Sequence, residues 1–201
     1  MRLVTVSYTH LDVYKRQPNM TVICPADANE TVTATRAIAA YHGPCYMRLN
    51  RNDYPNVTPA DRPFEIGMPY LLRDGTDIAV FACGYMVGQA LDAAQQLQDH
   101  ISVRVINVPT IKPLNHEAVR TLARGCKAIV TAEEHNIVGG LGGAIAEAMA
   151  PAPLPMAFVG VEDCFGRSGH NYPEILAYLG LTAEHIAQAV TQVYNQTKNE
   201  N

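Results

Sequence analysis

Charged side chains are scarce in this sequence. Asp, Glu, Lys and Arg make up 17% of its 201 residues, against about 25% in an average globular protein. Nineteen acids and fifteen bases leave a formal net charge of −4. With no clustered basic stripe to meet phosphate backbones, nucleic acid is excluded as a partner. No apolar run approaches the ~20 residues of a membrane span, so no membrane partner is expected and the chain reads as soluble. Hydrophobic residues reach 48%, which excludes a disordered chain. The length allows one domain or two small ones.

Catalytic signatures are scarce too. The five cysteines (Cys24, Cys45, Cys83, Cys126, Cys164) are scattered and never spaced as CxxC, which excludes zinc and thioredoxin-like readings. They read as buried reduced thiols of a cytoplasmic protein. There is no GxSxG elbow, HExxH, P-loop or DxDxDG motif, so no catalytic or metal-binding residue can be assigned from such a motif.

What is present is alternation. Residues 1–17 stand apart, with neither signal-peptide character nor clear periodicity. The stretch SYTHLDVYKRQ looks like a translated adapter or assembly scar, so 1–17 are read as a non-native leader without a core-forming pattern. From Pro18, Met20–Cys24, a helix over 28–42 and Cys45–Leu49 form one βαβ unit. Asp27, three residues before Glu30, gives the helix a capping-box-like start. Residues 18–51 thus form a first region. Pro55, Pro59, Pro63 and Pro69 then forbid a helix, and 52–69 reads as a linker.

Residues 70–197 resume the pattern, with 198–201 as a tail. Asp77–Cys83 is a near-continuous apolar run, as expected of a strand buried on both faces. Strands at 102–107, 128–131 and 156–161 alternate with helices at 87–99, 115–124, 139–149, 172–179 and 183–194, the last capped by Thr182. The fold class expected is α/β, a three-layer α/β/α sandwich with a mostly parallel sheet, preceded by a partial βαβ unit.

Three places could carry chemistry. GGLGG at Gly139–Gly143 opens a helix, where backbone amides can hold an anion; alternatively, its glycines let the helix pack closely against the sheet or a second subunit. Glu133, Glu134 and His135 follow the 128–131 strand. A carboxylate beside an imidazole can move a proton, but three polar loop residues more commonly contact a neighbouring loop or subunit. Arg48 and Arg51 end the CYMRLNR strand, where a guanidinium can grip a phosphate or carboxylate or form a surface ion pair. Phe165–Gly169 is a polar loop without assigned chemistry.

Several of these segments in series resemble a known family. PNMTVICPADANETVTATRAIAAYHGPCYMRLNR resembles the last βαβ unit of the pyrimidine-binding domain of transketolase-like enzymes. DGTDIAVFACGYMVGQAL, VRVINVPTIKPL, VTAEEHNIVGGLGGAIAEAMA, FGRSG and LGLTAEHIAQAV resemble the transketolase C-terminal domain. The likeness runs from about Pro18 to Gln196 and is greatest for transketolases split into two chains. It implies a thiamine-diphosphate- and Mg²⁺-dependent enzyme passing a two-carbon ketol unit between sugar phosphates, in the pentose phosphate pathway. It also implies a pyrophosphate-binding N-terminal subunit or domain as partner, and a dimer or other homo-oligomer. The family's activating glutamate would lie upstream of Pro18, so this chain alone is expected to bind no cofactor and to be inactive. Arg51 in LNRNDYP matches the family's sugar-phosphate arginine. Glu133, Glu134, His135, Gly139 and Gly140 are left as interface or loop contacts. The alternatives are a non-catalytic dimerisation or assembly module, or a β-subunit fragment of a 2-oxo-acid dehydrogenase or a deoxyxylulose-phosphate synthase.

Overall fold

The structure is a computed structural model that describes residues 10–50, 52–165, 169 and 171–199. It opens with helix α1 (His10–Arg16), then β1 (Thr21–Ile23), α2 (Ala28–Ala39) and β2 (Cys45–Met47). β1 and β2 pair in parallel around α2, the expected βαβ unit. Asp27 caps α2 by accepting from Glu30 N at 2.9 Å, while the Glu30 carboxylate reaches back to Ala26 N at 2.7 Å. This satisfies two donors that the helix start would otherwise leave unpaired.

Helix α1 corrects the expectation that residues 1–17 carry no core-forming pattern. Leu11 is 2% exposed and shares a core with Val22, Ile111 and Leu141. Tyr14 stacks on Tyr46 with ring centroids 4.2 Å apart. Lys112 Nζ donates to the carbonyls of Lys15 and Gln17 at 2.9 and 2.6 Å. Seven residues with one buried leucine are too short for periodicity to show, so the helix is decided by packing rather than by its own pattern.

No helix or strand occurs among the described residues between β2 and β3 (Tyr70–Arg73). This stretch is nevertheless stitched down. The Asp27 carboxylate accepts from Val57 N, Thr58 N and the Thr58 hydroxyl, each at 2.7 Å.

The second sheet has the order β3-β5-β4-β7-β8, built from β4 (Ile78–Ala82), β5 (Val103–Asn107), β7 (Ala128–Asn136) and β8 (Met156–Val161). All its pairings are parallel except β3 on β5. Helices α3 (Met86–Gln96), α4 (His116–Ala123), α5 (Leu141–Met149), α6 (Tyr172–Tyr178) and α7 (Ala183–Asn199) cover it. Ile78, Val80 and Ala82 of β4 face α3, α6 and α7, whereas Ala79 and Phe81 face α4 and α5. The strand's two-residue period therefore builds a core on each side of the sheet, and the result is the expected three-layer α/β/α arrangement.

Two short strands escape the sequence reading. β3 is a four-residue edge strand with Leu71 exposed, and β6 (Thr110–Lys112) is three residues framed by Pro109 and Pro113. β6 pairs antiparallel with β1, giving the first sheet the order β2-β1-β6. α7 also continues beyond its expected end at Tyr194 to Asn199.

Candidate functional site

The parallel strands of the two sheets end close together. Gly84 N, just past β4, donates to Cys24 O just past β1, at 3.2 Å. The Cys24 and Cys83 thiols are both buried, and the neighbouring Cys24 thiol together with burial pushes the Cys83 thiol up. Of the five thiols, Cys24, Cys83 and Cys126 are buried, Cys45 is half-buried and Cys164 is exposed.

Glu133, Glu134 and His135 also lie at this end, but in β7 rather than in a loop. β7 pairs with β8 as far as Ala132 opposite Val159, then shifts register across residues 133–135 and meets it again at Asn136 opposite Val161. The polar run conceals the continuing strand, because burial of its side chains comes from tertiary partners and not from apolar character. All three residues are at most 5% exposed.

Each of the three faces different partners. Glu133 accepts from Leu141 N at 2.7 Å and from Gly142 N at 2.8 Å, so its carboxylate occupies the amino end of α5. The GGLGG helix start therefore does hold an acceptor group, and it is the chain's own carboxyl. Burial pushes the Glu133 carboxyl up to about 7, against the pull of those two amides. Gly140 is required here because a Cβ would run into the Glu133 carboxylate, and Gly139 adopts φ +82°. These glycines serve close packing within the chain.

Burial also lowers the His135 imidazole, leaving it neutral at pH 7. Its Nδ1 lies 2.8 Å from Asn136 O, while Nε2 is buried with no hydrogen-bond partner among the described residues. Nδ1 is 3.9 Å from the Glu133 carboxylate, too far for a hydrogen bond that would pass a proton.

Glu134 turns the other way, toward the end of β2. Its carboxylate lies 3.4 Å from the Arg48 guanidinium and accepts from Asn50 Nδ2 at 2.9 Å. Asn50 Nδ2 also donates to the Tyr172 hydroxyl at 2.7 Å, which lies 3.4 Å from the Tyr54 hydroxyl. Burial raises the Glu134 carboxyl, whereas Arg48, Tyr172 and Asn50 hold it down. Arg48 is thus the partner in a buried ion pair rather than a surface one. Arg51 lies outside the described residues, as do positions 166–168 of the Phe165–Gly169 loop.

Beside this cluster opens a cavity of about 560 Å³, lined by Tyr54, Tyr85, Tyr172, Val57, Leu176 and Asp92 among others. The Tyr54 and Tyr85 rings are 4.8 Å apart and those of Tyr85 and Tyr172 6.0 Å. The sequence signalled neither Asn50 nor the three tyrosines, since residues 50, 54, 85 and 172 meet only through the fold. Among the described residues no group of three or more His, Cys, Asp or Glu is placed to hold a metal ion.

Comparisons with known proteins agree with this architecture. The transketolase pyrimidine binding domain family model matches residues 6–57, and the transketolase C-terminal domain model matches residues 69–186. A 6-deoxy-6-sulfo-D-fructose transketolase subunit from Clostridium sp. strain MSTE9 is 38% identical over 190 residues, spanning 94% of this chain and 59% of that protein. A 1-deoxy-D-xylulose-5-phosphate synthase of Trichormus variabilis is 36% identical over 187 residues, covering 89% of this chain and 29% of that protein. Among solved structures, a split-gene transketolase described as an inactive β4 tetramer superposes with a TM-score of 0.88 at 37% identity, covering 94% of this chain and 62% of that one. The chain therefore spans little more than half the length of the transketolase subunit it matches. It belongs to the transketolase family, matching that family's pyrimidine-binding and C-terminal domains in succession.

Proposed function

We propose that this chain is the C-terminal part of a transketolase that moves a two-carbon ketol unit from a ketose phosphate to an aldose phosphate. The observation that carries the reading is the likeness to a split-gene transketolase across 94% of the chain. In this reading, residues 18–51 end the pyrimidine-binding domain, 52–69 link, 70–197 form the C-terminal domain, and Arg51 grips the sugar phosphate. A rigid guanidinium fork suits a phosphate dianion. The complete enzyme would use thiamine diphosphate with Mg²⁺ and work in the cytoplasm as a homo-oligomer joined to a pyrophosphate-binding subunit or domain. Among the described residues no helix is long and apolar enough to cross a membrane.

Four helix amino ends already hold the chain's own acceptors, Asp27 on α2, Asn115 on α4, Glu133 on α5 and Asn171 on α6, while α3 has no side-chain cap. This supports the reading that the lone chain is inactive and that partner groups hold the cofactor.

Calorimetry of the purified chain with thiamine diphosphate and Mg²⁺ should give binding no tighter than millimolar, with no transfer from xylulose phosphate to ribose phosphate. Micromolar binding or turnover by the lone chain overturns that part. In the enzyme assembled with its partner, Arg51→Ala should cost ~1.5–3 kcal/mol toward phosphorylated sugars, about one to two decades of affinity. Equal losses toward unphosphorylated sugars would make Arg51 structural.

A further inference from the structure

Two thiols from different sheets meet where the sheets come together. Cys24 directly follows β1, and Cys83 directly follows β4. The backbone fixes their approach: Gly84 N bonds Cys24 O at 3.2 Å, and Cys83 N bonds Ala132 O of β7 at 3.3 Å. A Cβ built on Gly84 would lie 2.8 Å from Cys24 Sγ, so that sulfur rests against the turn that carries Cys83. Both side chains belong to the core that also holds Val22 and Phe81. Cys126, the third buried thiol, stands apart. It precedes β7 at the other end of the sheet, with its Sγ 3.9 Å from Gly75 O.

The two neighbours are not equivalent. β1 and β2 run in parallel with Ile23 opposite Met47, which brings Arg48 beside Cys24. The Cys83 thiol holds the Cys24 thiol down against burial, and the Arg48 guanidinium adds to this. Cys83 is pushed the other way. Because the thiolate is the nucleophile, Cys24 is the sulfur that attacks. Both residues are nearly shut off from bulk solvent, 4% and 1% exposed, so the oxidant that reaches them must be small.

We propose that Cys24 and Cys83 form an oxidation site, a dithiol that hydrogen peroxide closes to a disulfide tying the first sheet to the second. The Cys24 thiolate attacks one peroxide oxygen and the O–O bond breaks. The hydroxide released takes up the thiol proton as one water, leaving a sulfenic acid on Cys24. The Cys83 sulfur then displaces the sulfenic oxygen, which leaves with the Cys83 proton as a second water. The two thiols lose two electrons and two protons, and the peroxide is reduced to two waters. The site does not depend on the ketol-transfer reading.

Peptide mapping of the purified chain tests this. The reduced chain is treated with hydrogen peroxide, alkylated and digested without reductant. The expected product is a peptide pair joining Cys24 to Cys83, released by dithiothreitol and formed at least tenfold faster than any change at Cys126. In Cys83→Ala, dimedone should trap the sulfenic acid on Cys24, whereas in Cys24→Ala it should leave Cys83 unlabelled. Consumption of Cys24 and Cys83 no faster than Cys126, or their oxidation to sulfinic acids without a cross-link, overturns the site. Equal dimedone labelling in the two variants overturns the order of attack. If either variant fails to fold, the map of the parent chain decides the site alone.

Discussion

Asn107, the last residue of β5, donates its amide to both carboxylate oxygens of Glu30 in α2, at 2.9 and 3.0 Å. The Tyr70 hydroxyl adds a third side-chain bond at 2.8 Å. One buried carboxylate thus joins the first sheet's helix to two strands of the second sheet. Burial raises the Glu30 carboxyl, and these donors lower it.

Asn107→Ala should therefore destabilise the chain by about 2–3 kcal/mol, the cost of removing a hydrogen bond to a buried charged group. The loss should be greater at pH 8 than at pH 5, because only the ionised carboxylate strongly needs the donor. Urea unfolding at both pH values measures it, and a loss independent of pH would show that Glu30 does not change its protonation state over this range.

Glu133 gives a second pH signature. Its carboxyl is raised from 4.5 to about 7, so between those values the folded chain keeps a proton that the unfolded chain has released. The stabilisation is therefore present in full below about 4.5 and is lost as pH rises toward 7. Relative to Glu133→Gln, the parent chain should lose up to ~3 kcal/mol across this window. A stability difference between the two that stays flat from pH 4.5 to 7.5 would contradict the assignment.

The glycines at the start of α5 should respond unequally. Gly140→Ala places a methyl against the Glu133 carboxyl group and should cost about 2 kcal/mol through loss of the helix's hydrogen-bonded cap. At Gly143 the nearest atom to an added methyl is Lys15 Nζ at 3.6 Å. Gly143→Ala should thus be neutral or gain up to ~1 kcal/mol from helix propensity. Thermal melts of the two variants decide it, and similar melting temperatures would refute the cap.

Deleting residues 1–17 should destabilise the chain, contrary to what the sequence suggests. It uncovers the seat of Leu11 and removes the two carbonyls that hold the Lys112 ammonium. Leu11→Ala alone should cost about 2–3 kcal/mol, as for a leucine truncated in a core. A deletion variant with an unchanged urea midpoint would restore the reading of this segment as dispensable.

The core elements and the family likeness were legible in the amino-acid order. Apolar runs such as Ile78–Ala82 can be satisfied only by burial on both faces, and helical spacing such as Ala90, Ala94 marks one side of a helix. The Asp27–Glu30 spacing likewise announced a helix start, because capping is local chemistry. Tertiary structure alone decided the rest. β3 and β6 exist because neighbouring strands supply their bonds, and α1 because a core was there to receive Leu11. Glu133, Glu134 and His135 are adjacent in sequence, yet a strand turns successive side chains to opposite faces. That is why one carboxylate caps α5 while the next holds Arg48 and Asn50, more than eighty residues away along the chain.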